Sequence, residues 1–499
     1  MFISRFKSLF KDAAIYGVGN ALGSLISIIT APILTRIFTT ADYGAVALIQ
    51  TCVNFLSLIA GLYLISAVYR YYYEYNSDKA RKAVLSTSLY FFLFLSLIFA
   101  FALWIFSPLI AKLLLIKTAN SAATNIDYDF TLYLRILSPG LFLVMMNTFF
   151  IAILRMQRKP LLFMILNIIQ ILTHLFFIVF LVVYLQKGIE GALLASVISN
   201  GVSSCIGYAV VAKNFRLVLS IAVIKNLISY SLPQLPSVLM NWGLTQMNVF
   251  FLNFYGTLTD QGYYSIAFRL SSVFLMLSSA FRLAWDPFAL SAMKQGDAKS
   301  IYSQGYTVYV LIFLCLGGLT ALFAKPALII LTPEPYHISY SIVPFIIIAF
   351  FYQGSNNIIG IGISITKKTK YISYAQFNSF VINIALNILL IHRFKAWGAA
   401  GAFLGAAIVQ SFSYYYFAQK LYPINYQFMK LQLLSIVVFL IVCTQSFIIS
   451  NYNFYESTFT AFLFFFILLI TTYGIGLDYQ QRKKTIVFVK QKILSIQWS

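Results

Sequence analysis

Residues 188–195 read Gly-Ile-Glu-Gly-Ala-Leu-Leu-Ala, and residues 398–405, at an offset of 210, read Gly-Ala-Ala-Gly-Ala-Phe-Leu-Gly. Each segment leads into a long apolar run. A second motif recurs at nearly the same distance, because Asp42-Tyr43-Gly44 has a counterpart in Asp260-Gln261-Gly262 at an offset of 218. Matches at equivalent points of the two parts of the chain predict two structural repeats in the same orientation.

Apolar runs fill most of the chain around these motifs. Hydrophobic residues make up 61% of the 499 residues and charged residues 10%, against about 45–50% and about 25% in soluble domains. Roughly 20 apolar residues cross a bilayer as a helix, and we find about fourteen such runs, the first near residue 24 and the seventh near residue 241. The composition excludes a water-soluble globule and predicts an all-α integral membrane protein with about 14 transmembrane helices.

The repeats divide these spans into two six-helix halves and a C-terminal addition. We expect an N-terminal half at residues 1–216 and a C-terminal half at residues 217–425. Two extra transmembrane helices then follow at residues 426–476, and residues 477–499 form a basic tail.

The basic residues orient the chain in the membrane. There are 35 Lys and Arg against 13 Asp and Glu, a formal charge of +22. With a cytoplasmic N-terminus, most basic residues fall in cytoplasmic segments, and the outer segments hold only seven: Arg36, Lys112, Lys117, Lys187, Lys325, Arg393 and Lys395. This asymmetry predicts that both termini are cytoplasmic. It accounts for most of the charge without a nucleic-acid partner.

Cysteine and histidine are too scattered for a disulfide framework or a metal site. The cysteines lie singly in separate apolar runs, and the histidines are equally dispersed: Cys52, Cys205, Cys315, Cys443, His174, His337 and His392. We therefore expect neither a metal nor a cofactor. The scattered cysteines and histidines therefore disfavour a redox or metal enzyme.

Two arginines lie inside predicted spans, in matching local patterns. They are Arg135, within Thr131-x3-Arg135-x2-Ser138, and Arg269, within Ser265-x3-Arg269-x2-Ser272. All the acidic residues fall in loops, tails or span ends. A guanidinium in a cavity is a strong bidentate partner for phosphate. The alternative is that each arginine extends to the outer lipid headgroups.

Neutral polar side chains form stripes on several spans at helical spacing. Polar groups that faced lipid would lack partners, so the stripes are expected to face a wet cavity, with hydrogen bonding between packed helices as the alternative. Together with Arg135 and Arg269, we select as substrate-binding candidates His174, Asn241, Asn248, Gln353, Asn356, Asn357 and Asn383. Neighbouring members of the stripes are Asn167, Gln170, Thr245, Ser364, Gln376, Ser379 and Asn387.

The start of the chain resembles a known family. The first span, followed by Pro32-Ile33-Leu34-Thr35-Arg36-Ile37-Phe38 and then Asp42-Tyr43-Gly44, is similar to the opening of polysaccharide repeat-unit flippases (Wzx-type, O-antigen or capsule transporters). These flippases belong to the multidrug/oligosaccharidyl-lipid/polysaccharide exporter superfamily. The similarity in layout covers essentially the whole chain, whereas the specific motif lies in about the first seventy residues.

The resemblance implies a fold and a function. The fold is a V-shaped bundle whose two halves alternate around a cavity. The function is translocation of undecaprenyl-pyrophosphate-linked oligosaccharide repeat units across the bacterial cytoplasmic (inner) membrane, for O-antigen, capsular or exopolysaccharide synthesis. Such a protein is a transporter and not an enzyme, and we expect it to work as a monomer among membrane lipids.

The residues themselves favour this substrate over its competitors. An oligosaccharide pyrophosphate needs neutral hydrogen-bonding groups for hydroxyls and cations for phosphate, whereas an exporter of cationic drugs is expected to use an embedded carboxylate. A multidrug/cation antiporter and a lipid-linked peptidoglycan-precursor flippase stay open as alternatives. A polymerase or transferase is disfavoured because no long outer loop or acid cluster is present.

Coupling to a proton or sodium ion would require a titratable site. His174 lies midway through the fifth span on the face of Asn167 and Gln170, and an imidazole has an unperturbed pKa near 6.5. His174 is therefore the first coupling candidate. The acids at span ends, Asp42, Asp260 and Asp286, come next.

Overall fold

The structure, a computed structural model, describes residues 29–75, 77–115, 128–293 and 296–476. These residues form helices and connecting turns, and no strand occurs among them. After a helical stretch at residues 29–35, the α-helices are α1 (Thr40–Ala60), α2 (Leu64–Glu74), α3 (Asp78–Leu115), α4 (Phe130–Met156), α5 (Pro160–Ile178), α6 (Gly188–Val211), α7 (Ile221–Ser231), α8 (Leu235–Tyr255), α9 (Leu258–Ala292), α10 (Ala298–Leu322), α11 (Ala324–Leu331), α12 (Val343–Ile359), α13 (Ile361–Ile365), α14 (Lys370–Leu421), α15 (Phe428–Ile448) and α16 (Phe454–Gly476).

The all-α membrane class is confirmed, but the number of spans is not. Within the described residues, 11 helical stretches are long and apolar enough to cross a membrane. One of them, α14, joins the predicted eleventh and twelfth spans through a non-helical Lys395 (φ 51°, ψ −123°). The seventh predicted span corresponds to α8, which is not among the 11, and the first, centred near residue 24, lies largely outside the described residues. A total of about 14 therefore stays a prediction.

The repeated Asp-x-Gly motif marks the starts of two equivalent helices. At the start of α1, the Thr39 amide donates to the Asp42 carboxylate at 2.9 Å, and the Asp42 amide donates to the Thr39 hydroxyl at 3.2 Å. Thr257 and Asp260 make the same two bonds at the start of α9, at 2.9 and 3.1 Å. These capping boxes satisfy amide groups that the first helical turn leaves unpaired. The sequence repeat is thus a repeat of helix starts.

The predicted halves meet mainly along one helix pair. In the first half, α4 packs against α3 and α6, and α6 packs against α5. In the second, α14 packs against α8 and α12, and α9 packs against α12. The main contact between these groups runs along α1 and α9. The predicted boundaries of the halves stay predictions, and the basic tail at residues 477–499 lies outside the described residues.

The two additional helices near the C-terminus pack on the second half. Both α15 and α16 contact α10 as well as each other. Lys325, in α11, is buried and donates from Nζ to the backbone carbonyls of Ile449, Ser450 and Tyr452, just after α15. The cation thereby binds carbonyls of the turn that follows α15, next to the helix end that carries partial negative charge.

Candidate functional site

Arg269 lies where the two halves meet. It projects from α9, and its guanidinium carbon is 4.9 Å from the centre of the Tyr43 ring on α1. It lines a cavity of about 320 Å³ bounded mainly by first-half residues, here called the N-half cavity, and also an adjoining cavity of about 120 Å³. An intramembrane cation from the second half therefore reaches the polar interior of the first.

A hydrogen-bonded row of amides lies at the N-half cavity, with Gln170 and Asn200 in its lining and Asn147 bonded to both. The Gln170 amide accepts from Asn147 Nδ2 at 3.1 Å and donates to Asn200 Oδ1 at 3.1 Å. His174 borders the same cavity, with its Nδ1 3.5 Å from the Ser199 hydroxyl. The structure thus brings together His174 and Arg269, which are both candidates from the sequence. The sequence analysis missed Asn147, a single amide in an apolar run, and Asn200, which lies among serines and outside the amide stripes.

Arg135 is not brought to this site. It is exposed on α4, where its Nε donates to the Ser107 hydroxyl at 3.3 Å and its guanidinium carbon lies 5.4 Å from the Trp104 ring. Trp104 is itself 49% exposed. Arg135 does not line the N-half cavity or the three others described here. Its position fits the alternative of a side chain that reaches the outer headgroups.

A larger cavity, of about 940 Å³, lies within the second half and is here called the C-half cavity. Four predicted residues line it, namely Asn241, Gln353, Asn356 and Asn357. Asn356 donates to Gln410 Oε1 at 3.1 Å and is thereby held in place. The lining also includes two cations that the sequence did not single out, Arg282 and Lys370. Sequence reasoning had assigned both to cytoplasmic loops.

The remaining large cavity, of about 740 Å³, lies between α1 to α4 and α8. Its walls are largely apolar, with Leu58, Phe92 and Trp242 among the lining residues. It shares Tyr63 with the C-half cavity. The two large cavities therefore meet at Tyr63 but offer different surfaces to a ligand.

Asn248 and Asn383 pack between helices and do not face a cavity. Both side chains are 0% exposed. Asn248 Oδ1 accepts from Asn383 at 3.3 Å and from Asn387 at 2.8 Å, and Asn248 Nδ2 donates to the Tyr264 hydroxyl at 3.0 Å. These bonds join α8, α9 and α14. Asn248 and Asn383 therefore make hydrogen bonds between packed helices, which was the alternative interpretation of the polar stripes. The expectation that they face a wet cavity does not hold for these two residues.

The acidic coupling candidates lie at helix ends. Asp42 and Asp260 hold the capping boxes of α1 and α9, and the Tyr128 hydroxyl donates to Asp42 Oδ1 at 2.9 Å. Burial and the nearby Asp42 carboxylate raise the pKa of Tyr128, so its hydroxyl stays a donor. Asp286 is exposed near the end of α9. None of these acids borders the N-half cavity.

The described side chains that line the cavities are cationic or neutral. Among the residues that the structure describes, no acidic side chain lines any of the four cavities. Across the ranges that the structure describes, no group of three or more His, Cys, Asp or Glu is arranged to hold a metal ion. The arrangement can hold an anion at Arg269 and hydrogen-bond a hydroxyl-rich ligand through the amides.

Comparisons with known proteins agree with this architecture. Residues 9–293, more than half of the chain, match the family described as polysaccharide biosynthesis protein. No curated protein sequence matches the chain. Among solved structures, the fold is similar to the lipid II flippase MurJ in an inward closed conformation, with a TM-score of 0.71 and 16% identity over 93% of this chain and 99% of that chain.

Drug transporters share the fold as well. An inward-facing multidrug resistance MATE family transporter of the MOP superfamily has a TM-score of 0.61 and 17% identity, over 80% of this chain and 94% of its own. The Vibrio cholerae MATE transporter VcmN in its bent form has a TM-score of 0.56 and 16% identity, over 83% and 96%. The resemblance noted in the sequence is confirmed. The chain is a multi-pass membrane protein with the fold of the MurJ and MATE transporters, and it belongs to the polysaccharide biosynthesis protein family.

Proposed function

We propose that this protein is a flippase that moves undecaprenyl-pyrophosphate-linked oligosaccharide repeat units from the cytoplasmic to the outer leaflet of the bacterial inner membrane. Its product would serve O-antigen, capsular or exopolysaccharide synthesis. The observation that carries the proposal is the position of Arg269, an intramembrane guanidinium at the border of an amide-lined cavity. Arg269 is the proposed contact for the pyrophosphate.

The site suits both parts of such a head group. A guanidinium binds phosphate oxygens through paired charge-assisted hydrogen bonds, which are stronger in a cavity than in bulk water. Sugar hydroxyls both donate and accept, as the side chains of Gln353, Asn357 and Asn241 do in the C-half cavity. Its volume of about 940 Å³ is at the upper end of the range for binding pockets. The proposed glycan site is this cavity.

The lining residues also bear on the competing functions. A cationic drug would find no carboxylate among the described residues that line the four cavities, and a cation without a counter-charge is costly to bring into a membrane interior. The multidrug antiporter is therefore the weaker proposal. A lipid-linked peptidoglycan precursor makes the same physical demands, so only a direct comparison of substrates separates it from an oligosaccharide lipid.

The transport cycle follows from the arrangement of the halves. We infer alternating access by a monomer, in which the two halves rock about the contact between α1 and α9. The basic residues favour cytoplasmic N- and C-termini. Proton or sodium coupling is part of the proposal, with His174 as the titratable group nearest Arg269 in the N-half cavity.

The experiment compares three labelled substrates in liposomes that contain the purified full-length protein. They are a polyprenyl-pyrophosphate tetrasaccharide, a polyprenyl-pyrophosphate disaccharide-pentapeptide and a cationic dye. We expect only the tetrasaccharide lipid to be moved, and Arg269→Ala to slow it by about 10- to 100-fold, since a bond to a charged group is lost. Arg269→Lys should restore part of the rate, because it keeps the charge without the forked geometry.

Arg135→Ala is the matched comparison, because it also removes one arginine from a transmembrane helix. We expect nearly wild-type rates, since Arg135 contacts Trp104 and Ser107 outside the described cavities. An equal loss in both variants would return Arg135 to the substrate path. Wild-type transport by Arg269→Ala, or faster movement of the peptide-bearing lipid, would contradict the proposed function.

A further inference from the structure

The C-half cavity carries positive charge that the pyrophosphate site does not require. Arg282, from the last part of α9, and Lys370, the first residue of α14, both line it, and both are exposed. Arg269, the proposed pyrophosphate contact, lines the N-half cavity instead. The protein therefore has two cationic places: Arg269 at the N-half cavity, and Arg282 with Lys370 at the C-half cavity.

Neither cation is neutralised by a direct ion pair. The two ion pairs found in the described ranges join Arg70 to Glu74 and Lys82 to Asp78. Asp286 follows Arg282 by one helical turn, but no carboxylate oxygen of Asp286 lies within 4.0 Å of the guanidinium. Burial raises the pKa of the Asp286 carboxyl and the Arg282 charge lowers it, so these two groups interact at longer range. No close ion pair with a described residue holds either cation, so both can interact with a ligand in the cavity.

The bias toward cytoplasmic Lys and Arg does not by itself place cations in a cavity. The 740 Å³ cavity that shares Tyr63 has no charged side chain among the described residues that line it. Lys367 and Lys368 belong to the same short connection as Lys370, yet they do not line the C-half cavity. Basic residues of the predicted cytoplasmic side can therefore line a cavity or lie outside it. Arg282 and Lys370 line the C-half cavity.

The rest of the lining is suited to sugar rings. Gln353, Asn357 and Asn241 offer amide donors and acceptors, and the Tyr414 ring adds an aromatic surface. Amides with aromatic faces form a surface for hydroxyl-bearing rings. Adding two cations to such a surface favours a sugar that carries a negative charge.

We propose that the C-half cavity selects oligosaccharides that contain an acidic sugar, whose carboxylate is bound by Arg282 and Lys370. This inference rests on the proposed function and names the class of glycan. The carboxylate is held apart from the pyrophosphate, so one substrate uses both cationic places. A neutral glycan would be moved as well, but less readily.

The test uses two polyprenyl-pyrophosphate tetrasaccharides that differ at one group. One contains a single glucuronate, and the other is its carboxyl-reduced counterpart, with glucose at that position. Both keep the pyrophosphate. Flipping is measured in liposomes containing the full-length protein, and equilibrium binding of the two free tetrasaccharides is measured in detergent.

The variants separate the two cationic places. In wild type we expect the acidic lipid to move about tenfold faster than the neutral one, and the acidic tetrasaccharide to bind about tenfold more tightly. Arg282→Gln with Lys370→Gln should lower the rate and the affinity for the acidic substrate to those of the neutral one, so that both preferences are lost. Lys367→Gln with Lys368→Gln makes the same charge change in the loop and should keep the preferences. Arg269→Ala should slow both lipids equally.

The possible results distinguish the inference from the proposed function. Transport of both lipids without a preference in wild type, or an equal loss of both in Arg282→Gln with Lys370→Gln, would overturn the inference and leave the flippase in place. The second result would show that these cations serve the pyrophosphate. Preferential binding of the acidic tetrasaccharide, with no flipping of either lipid, would support the site and overturn the proposed function.

Discussion

Gly44 and Gly262 occupy equivalent positions in the two repeats, and each lies against the backbone at the start of the other's helix. A Cβ atom on Gly44 would lie 1.9 Å from the carbonyl oxygen of Leu258, and one on Gly262 would lie 2.1 Å from the carbonyl oxygen of Thr40. Atoms cannot approach so closely. The crossing of α1 and α9 therefore depends on the absence of a side chain at both positions.

Alanine at either glycine should weaken the contact between α1 and α9. The added methyl group meets backbone, which cannot rotate away, so the helices must separate at a cost of about 1–3 kcal/mol. The starts of α1 and α9 lie on the predicted outer side of the membrane. The cost would therefore favour conformations in which the two halves are separated on that side, by about 10- to 100-fold. Spin labels at Gln186 and Arg393, both exposed, would report longer distances between the halves.

Gly474→Ala serves as the control for this measurement. Gly474 lies in α16, and a Cβ atom there would have nothing within 4 Å. The distances between the labels should then match those of wild type. If Gly44→Ala and Gly262→Ala also left these distances unchanged, the crossing of α1 and α9 would not be what holds the two halves together on the predicted outer side.

Lys325 should be required for stable attachment of α15 and α16. Its Nζ donates to the carbonyls of Ser450 at 3.0 Å and Tyr452 at 2.7 Å, and also to that of Ile449. Lys325→Met keeps the apolar stem but removes every donor. We expect the free energy of unfolding to fall by about 2–4 kcal/mol, as for the loss of a buried charged partner.

Chemical denaturation in detergent measures this difference. Lys112→Met is the comparison, because Lys112 is an exposed lysine near the end of α3 and of the same predicted outer side. It should change the free energy of unfolding by less than about 0.5 kcal/mol. Equal stability of the two variants would mean that the Lys325 contacts contribute little to the fold.

Asn241 and Asn248 lie on one face of α8 but should respond differently to substitution. Asn248 Oδ1 is the acceptor for Asn383 and Asn387, so Asn248→Leu leaves two buried donors without it. We expect the free energy of unfolding to fall by about 1–3 kcal/mol. Binding of a tetrasaccharide by the folded fraction should be unchanged.

Asn241→Leu should show the opposite pattern. Asn241 is exposed and lines the C-half cavity, so its loss should weaken tetrasaccharide binding by about two- to tenfold while stability stays within about 0.5 kcal/mol of wild type. Calorimetric binding and denaturation on the same preparations give both quantities. The assignment of Asn241 to the cavity fails if its substitution destabilises the protein and leaves binding intact.

This pair of asparagines shows what sequence periodicity can and cannot predict. A spacing of seven residues correctly places Asn241 and Asn248 on one face of a helix. What lies opposite that face changes along the helix, because α8 packs against α14 near Asn248 and borders the cavity near Asn241. The sequence predicts a polar face, but the neighbour at each level depends on contacts with distant parts of the chain.

The two intramembrane arginines illustrate the same limit. Arg135 and Arg269 have matching local patterns, and both were predicted to face the substrate. Arg269 reaches Tyr43 and the N-half cavity, whereas Arg135 faces Trp104 on α3. The repeat itself, by contrast, was predictable, because the capping boxes and close glycine contacts require particular residues at fixed spacing.

His174 is proposed to couple proton movement to transport. It borders the N-half cavity with Arg269 and lies 3.5 Å from the Ser199 hydroxyl. An imidazole is the side chain whose unperturbed titration falls near neutral pH. When charged, it would add a second cation for the pyrophosphate, and when neutral it would weaken that hold and favour release.

His174→Gln tests the coupling, because glutamine can bond Ser199 but cannot titrate. We expect wild-type flipping of the tetrasaccharide lipid to vary with pH as His174 titrates, and the variant to lose that variation. His337→Gln is the control, since His337 contacts the Thr332 carbonyl at 2.9 Å, away from the N-half cavity. It should keep the wild-type profile. Identical profiles for wild type and His174→Gln would exclude His174 as the switch and direct the search to Asp42, Asp260 and Asp286.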